Sequence, residues 1–396
     1  MDIVILANFC GDMSGKGNGR FLYLAEMLAK EHDVEIVTSD FDHGEKAYRP
    51  PMRDGLRYRV TMLHESGYPK NVCLQRFASH YTWGKNVKKY LQQRKKPDVI
   101  YCAVPSLTGP MEAAKYCRKN GVRFVVDVQD LWPEAFKMVL NIPVISDIAF
   151  APLQWMADKV YATADGVAAV SRTYVDRVLR VNRKCTSGVC VFLGTRLEDF
   201  DAHAAANPVD RKEEKKLWLG YCGTLGTSYD LITVFDALDL LRQQGHALPE
   251  FVVMGDGPRK AEFEAYAQEK QLPVHFTGRL NYDVMCGWIR ACDMVVNPII
   301  GSSAASIINK HADYAACGRP VLNTQTSPEY RDLVDTYDMG FNCRSEEPAD
   351  LAQKLQQLMD DPALRERMGR GARTCAEERF DRKTSYESLV NLIVGE

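Results

Sequence analysis

The sequence has no apolar run long enough to span a bilayer. Its longest uncharged stretch, Met294 to Asn309, is interrupted by Asn297, Pro298, Gly301 and serines. Residue 2 is Asp and the opening apolar run is short, so no signal peptide is expected. Charge of one sign is also lacking. The formal net charge is −2, which excludes a general affinity for nucleic acid. None of the twelve cysteines forms a Cys-x2-Cys pair. The closest spacings, Cys185/Cys190 and Cys286/Cys292, have no second pair in zinc register. Cysteines inside apolar runs such as Ile100-Tyr101-Cys102-Ala103 read as buried structural thiols of a reducing cytosol. No low-complexity segment and no close internal repeat occurs. No Gly-Lys-Ser/Thr follows a glycine loop, which excludes a Walker A site, and neither glycine loop has a clean Gly-x-Gly-x-x-Gly in context, which argues against an NAD-linked dehydrogenase.

What is present is a globular composition, with 46% apolar, 26% charged and 10% aromatic residues. A chain of 396 residues suits two hydrophobic cores of roughly 200 residues each better than one. Charge is divided unevenly between the halves. Residues 1–200 carry 28 basic and 22 acidic side chains and the remainder 22 and 30, so a basic half joins an acidic one.

Strands and helices alternate throughout. Asp2–Ala7, Val34–Thr38, Asp98–Ala103, Arg123–Val128 and Gly166–Val170 read as buried strands, and Phe21, Leu22, Leu24, Ala25 and Leu28 follow helical spacing. A second set begins at Leu217–Cys222, with a helix over 230–244, strands over 251–254, 274–277, 293–296 and 320–323, and a helix over 259–270. This pattern predicts an α/β protein of two doubly wound Rossmann-like domains facing a central cleft. The expected division is 1–200, a polar linker over 201–216, 217–380, and a final helix over 381–396 crossing back to the first domain.

Loops after strands carry the chemistry. Gly11-Asp-Met-Ser-Gly15-Lys-Gly17-Asn-Gly19 joins the first strand to the first helix, where glycines admit close backbone approach and a helix N-terminus favours an anion. Gly223-Thr224-Leu-Gly226, Gly255-Asp-Gly-Pro258 and His275-Phe-Thr-Gly-Arg279-Leu280 each end a strand. Lys310 and Asp313 lie three apart on one helical face. Such a Lys can neutralise a phosphate and such an Asp can accept from sugar hydroxyls, while the bland reading is a surface ion pair. Asp40-Phe-Asp42 and Asp199-Phe-Asp201 spell Asp-x-Asp but read as solvated loops, so no metal is expected. Residues 68–96 hold eight basic side chains interleaved with Phe77, Tyr81, Trp83, Tyr90 and Leu91, and read either as a membrane-facing amphipathic helix or as a solvated face.

These elements in this order resemble the bacterial retaining glycosyltransferases of family 4, with the two-domain GT-B fold. The matching residues are Gly223–Gly226, Val253–Pro258, Phe276–Gly278, Cys292-Asp293 with Asn297-Pro298, and Lys310–Val321. Asp130-Leu-Trp-Pro-Glu134 is similar to amino-sugar transferases of surface-polysaccharide assembly. The resemblance implies a cytoplasmic enzyme, peripheral on the inner face of the plasma membrane. It would move a sugar from a nucleotide diphosphate, UDP foremost, to a lipid-linked or saccharide hydroxyl. It would need no cofactor beyond this co-substrate, and no metal. By the same resemblance, Gly15, Gly17, Gly19, Gly223, Thr224, Gly226, Gly255, Arg279, Leu280, Lys310 and Asp313 bind the donor. Gln129, Asp130 and Glu134 line the acceptor side, and Lys310, Asp313, Asp130 and Glu134 carry the chemistry. The departures are Asp313 for the second of the family's two glutamates and Ala305 at the first. Thr227-Ser228-Tyr229 stands where the family has a loop Lys, Gln129-Asp130 where it has His-Asp, and Leu193-Gly-Thr-Arg196 where it has Asn-Gly-Val-Asp. The same fold hosts nucleotide-sugar epimerases, and the missing glutamate admits a catalytically degenerate binding subunit.

Overall fold

The computed structural model describes residues 1–11, 19–50, 55–71, 73–139, 145–210, 216–301 and 307–395. The chain divides into two compact units, Met1–Phe192 with Ser385–Glu396, and Leu193–Thr384.

The first unit contains β1 (Asp2–Ala7), β2 (Asp33–Ser39), β3 (Phe41–Asp42), β4 (Ala47–Tyr48), β5 (Arg59–Leu63), β6 (Val99–Val104), β7 (Arg123–Val128), β8 (Gly166–Ala169) and β9 (Val189–Cys190). β3 and β4 form a small antiparallel hairpin. The others make one parallel sheet in the order β5-β2-β1-β6-β7-β8-β9. Ile3 pairs with Val34 on one side and Val99 on the other. Side chains on both faces of β1 and β6 are buried, which is why these strands read as unbroken apolar runs. Ser171 caps the helix Arg172–Leu179 by accepting from the Tyr174 amide at 3.3 Å. The last helix, Glu387–Val394, packs Leu389 and Ile393 into the core of this unit beside Leu24, Ala25 and Leu28.

The second unit holds β10 (Trp218–Cys222), β11 (Glu250–Met254), β12 (Val274–Gly278), β13 (Met294–Asn297), β14 (Val321–Asn323) and β15 (Gly340–Asn342), parallel in the order β12-β11-β10-β13-β14-β15. Leu219, Val234, Phe235, Phe251, Val296 and Leu355 centre its core. Both sheets therefore reverse direction beside their first strand, the doubly wound arrangement that places ligands at the carboxyl edge.

The boundary differs from the expected one. The chain enters the second unit at Leu193, and 201–206 is not linker but the end of a helix, Leu197–Ala206. Its polar composition hides an amphipathic face. Leu197, Phe200 and Ala204 are buried, while Asp201 is held by Arg290 and by Arg373 at 2.7 Å. Residues 211–215 lie outside the described residues. The second unit also runs on to Thr384, beyond 380. There Arg382, 1% exposed, donates to the carbonyls of Leu193 at 2.9 Å and Gly194 at 3.1 Å. β5, β9 and β15 escape sequence reading because they are short or half-exposed and give no buried run.

Candidate active site

In the second unit β10 lies between β11 and β13, so the loops leaving β10 and β13 diverge at the carboxyl edge. The loops after β10 and β11 are fused backbone to backbone. The Gly223 amide donates to the Met254 carbonyl at 2.9 Å and the Leu225 amide to the Asp256 carbonyl at 2.9 Å. A Cβ on Gly255 would stand 1.9 Å from the Gly223 carbonyl oxygen, so only glycine fits there. Thr224 is exposed at the tip of this platform and its carbonyl accepts from Tyr221 Oη at 2.8 Å.

Lys310 comes to the same place from the helix Asn309–Ala316. A Cβ on Gly223 would lie 2.4 Å from Lys310 Nζ, so the ammonium rests directly against that glycine. It sits 3.7 Å from the centre of the Tyr229 ring and 4.5 Å from that of Tyr221, and donates to Tyr221 Oη at 3.3 Å. Among the described residues no carboxylate pairs with it. Burial pushes its ammonium down to about 7. The surface ion pair with Asp313 does not form. Asp313 turns to Tyr282, whose hydroxyl donates to it at 2.9 Å and lies 2.8 Å from Thr195 Oγ1. Burial raises the Asp313 carboxyl to about 6, against the Tyr282 hydrogen bond.

Beneath them lies a buried polar network. Asn297 Nδ2 lies 3.1 Å from His311 Nε2 and donates to Asn323 Oδ1 at 2.9 Å, and His311 stacks on Tyr330 at 3.6 Å. Burial first, then the Lys310 charge, keep His311 neutral. Tyr221, Tyr229, Tyr282 and His311 were not singled out from sequence. Tyr229 had a usable signal, since Thr227-Ser228-Tyr229 stands where the family has its loop Lys. Arg279 and Leu280 follow β12 at the same sheet edge, Arg279 exposed and Leu280 half-buried. Of the glycine loop in the first unit, Gly15 and Gly17 lie outside the described residues. Gly19 is the N-cap of the helix Arg20–Leu28.

Beside Gly19, Arg20 is buried and forks onto Asp127, at 3.0 and 3.1 Å. Gln129 donates to the same carboxylate at 3.0 Å. Asp130 accepts from the Leu131 amide at 2.9 Å, and burial raises its carboxyl. Glu134 is drawn away from these two, onto Arg177 at 2.6 Å. Asp-Leu-Trp-Pro-Glu thus divides: Gln129 and Asp130 stay at the end of β7, and Glu134 anchors a helix.

Neither Asp-x-Asp is a solvated loop. Asp40 accepts from His64 at 2.9 Å and from the Glu65 amide at 2.8 Å, Asp42 pairs with Arg49 at 3.0 Å, Asp199 with Arg196 at 2.9 Å, and Asp201 with two arginines. Among the described residues no three His, Cys, Asp or Glu side chains are grouped to hold a metal ion.

Residues 18–185 match the glycosyl transferase 4-like domain family, and residues 216–361 match the glycosyl transferases group 1 family. The chain is similar to the putative colanic acid biosynthesis glycosyl transferase WcaI of Escherichia coli K12, at 24% identity over 98% of each chain. Its fold is similar to that of sucrose-phosphate synthase from Thermosynechococcus elongatus, with TM-score 0.75, 16% identity, and 100% and 99% of the two chains covered. It is also similar to Anabaena Alr3699/HepE in complex with UDP-glucose, with TM-score 0.68, 16% identity, and 100% and 99% covered. Two doubly wound parallel sheets, the glycine platform at the carboxyl edge of the second and the two matched domains lead to one conclusion: the chain belongs to the family 4 glycosyltransferases, enzymes of the GT-B fold.

Proposed function

We propose that this enzyme transfers a sugar from a nucleoside diphosphate to a lipid-linked or saccharide hydroxyl in polysaccharide or glycoconjugate assembly, with retention of configuration and without a metal ion. The observation that carries the reading is Lys310, a buried ammonium with no carboxylate partner among the described residues, resting on the glycine at the end of β10. Bond cleavage leaves a growing negative charge on the diphosphate, and a desolvated cation beside backbone amides stabilises that charge more than the ground state. The amides of Gly223–Gly226 act with it. Asp313 takes the ribose hydroxyls, backbone at Arg279 and Leu280 meets the base, and Gly255 keeps the two loops close enough for this. The departing phosphate helps to remove the acceptor proton. Gln129 and Asp130 face the acceptor, while Glu134, held by Arg177, fixes the segment that carries them.

UDP is the nucleotide we assign, supported by the neighbour solved with UDP-glucose. Polysaccharide assembly is supported by the colanic acid relative. The basic helix Leu74–Gln93 would bring the enzyme to an anionic membrane surface where a lipid-linked acceptor resides. Lys310→Ala should lower kcat/KM by about 10²–10³, roughly 2.7–4 kcal/mol of transition-state stabilisation, with an unchanged circular dichroism spectrum. Radiolabelled UDP-sugars, with and without acceptor, provide the assay. Product formed without acceptor would make this an epimerase or hydrolase, and wild-type kcat/KM in the variant would move the donor site elsewhere.

A further inference from the structure

The carboxyl edge of the first unit's sheet carries a second group of unneutralised cations. Arg76, in the first turn of the helix Leu74–Gln93, lies 4.7 Å from the Trp132 ring centre, 5.6 Å from that of Phe9 and 5.7 Å from that of Tyr68. Phe9 follows β1, Tyr68 follows β5 and Trp132 follows β7, so three loops of one sheet edge converge on it. Lys46, in the turn between β3 and β4, faces the Tyr68 ring at 5.1 Å. One neutral residue links the two cations: Arg76 Nη1 donates to the Asn71 carbonyl at 2.9 Å and Lys46 Nζ to Asn71 Oδ1 at 2.6 Å. His43 Nδ1 lies 2.5 Å from Tyr68 Oη, and His80, buried, stacks on Trp132 at 5.6 Å.

Among the described residues neither Arg76 nor Lys46 has a carboxylate at ion-pair distance. Asp130 attracts Arg76 and Asp42 attracts Lys46 from beyond ion-pair distance, and these acids are engaged elsewhere. Asp42 pairs with Arg49, Glu65 accepts from Asn8 and Ser79, and Asp130 accepts from the Leu131 amide. Arg76 Nε is buried without a hydrogen-bond partner. The two positive charges therefore oppose each other. Burial lowers the Lys46 and Arg76 pKa values, and Arg76 further lowers that of Lys46. Aromatic faces hold a guanidinium in place, and the donors of Arg76 not spent on Asn71 remain for an oxyanion. An anion bridging the pair would relieve the repulsion and satisfy Nε.

We propose that Arg76 and Lys46, spanned by Asn71 and backed by Tyr68 and Trp132, form an oxyanion pocket that takes a phosphate or carboxylate group of the acceptor. The proposal rests on the reading of this unit as the acceptor side. The full chain carrying Lys310→Ala, which disables the proposed donor site, is titrated calorimetrically with inorganic phosphate and, separately, with glucuronate. Saturable binding of one of them is expected, with affinity reduced by about tenfold or more when Arg76→Ala is added, equivalent to about 1.4 kcal/mol. Phosphate binding would indicate a phosphorylated acceptor, and glucuronate binding an acidic sugar. If Arg76→Ala does not fold, Lys46→Ala on the hairpin takes its place with the same expected loss. Equal affinity with and without the basic side chain, or no saturable binding of either probe, overturns the proposal. Failure of the donor reading appears separately, as wild-type kcat/KM in Lys310→Ala.

Discussion

Lys310 occupies a position where its charge is costly until a ligand arrives. Three neighbours explain this: Gly223 admits it, and Tyr221 and Tyr229 support it with ring faces rather than carboxylates. The family's loop Lys is absent here. Tyr229 stands in its stretch of the loop, and a cation reaches the same glycine platform from a different helix. With the ammonium pushed down to about 7 by burial, much of it is neutral at pH 8, and a bound diphosphate restores its charge. UDP binding at pH 8 should therefore take up protons, measured as a binding enthalpy that changes with the ionisation enthalpy of the buffer. Affinity should fall as pH rises through 7. The uptake should vanish in Lys310→Met, and persistence there would assign the proton to another group. The folding sign is the opposite of a stabilising cation. Folding favours neutral Lys310, so this group's contribution to stability grows as pH rises from about 7 towards its unfolded value.

At the scale of elements, the helix Leu197–Ala206 decides where one unit stops. Phe200 is fully buried and the Arg290 guanidinium lies 5.4 Å from its ring centre. Phe200→Ala should destabilise the second unit by about 3–5 kcal/mol, the usual range for emptying a buried aromatic site. In scanning calorimetry the transition of Leu193–Thr384 should fall and that of the first unit should stay. Loss from the first unit's transition instead would return this helix to the N-terminal side. The helix Leu74–Gln93 has a core-facing side and an exposed basic side. Trp83, Val87 and Leu91, four apart, face the core, so Trp83 and Leu91 among the interleaved apolar side chains are structural. Leu74, Tyr81, Lys85, Lys88 and Lys89 form the exposed side.

At the scale of the molecule, the charge excess of the first half meets an apolar surface. Leu74 and Tyr81 are 86% and 62% exposed, and Ile148 and Trp155 on the helix Ile145–Thr163 are 71% and 58% exposed. The rings of Phe77, Phe136 and Phe150 connect the two helices at 5.7 and 5.9 Å. No helix among the described residues is long and apolar enough to cross a membrane, so contact with lipid would be interfacial. At about 1 kcal/mol for each basic side chain near an anionic surface, changing Lys85, Lys88, Lys89 and Lys95 together to Glu should abolish binding to anionic vesicles. Transfer to a short soluble acceptor should continue. Equal vesicle binding by mutant and wild type at low salt would leave the run as a solvated face.

Sequence by itself determined the two parallel sheets and the glycine platform of the second. Parallel strands are buried on both faces, so their apolar runs survive as a one-dimensional signal, and Gly255 must be glycine wherever two backbones meet. The placement of Lys310 and Asp313 three apart was also legible, but not its meaning. Spacing cannot tell whether two side chains meet or diverge, and only packing sends one to Gly223 and the other to Tyr282. The unit boundary, the diversion of Glu134 to Arg177, and the convergence of Arg76 with Lys46 were decided by tertiary structure. Each joins residues tens to hundreds of positions apart, such as Asp201 and Arg373, whose proximity has no periodic trace along the chain.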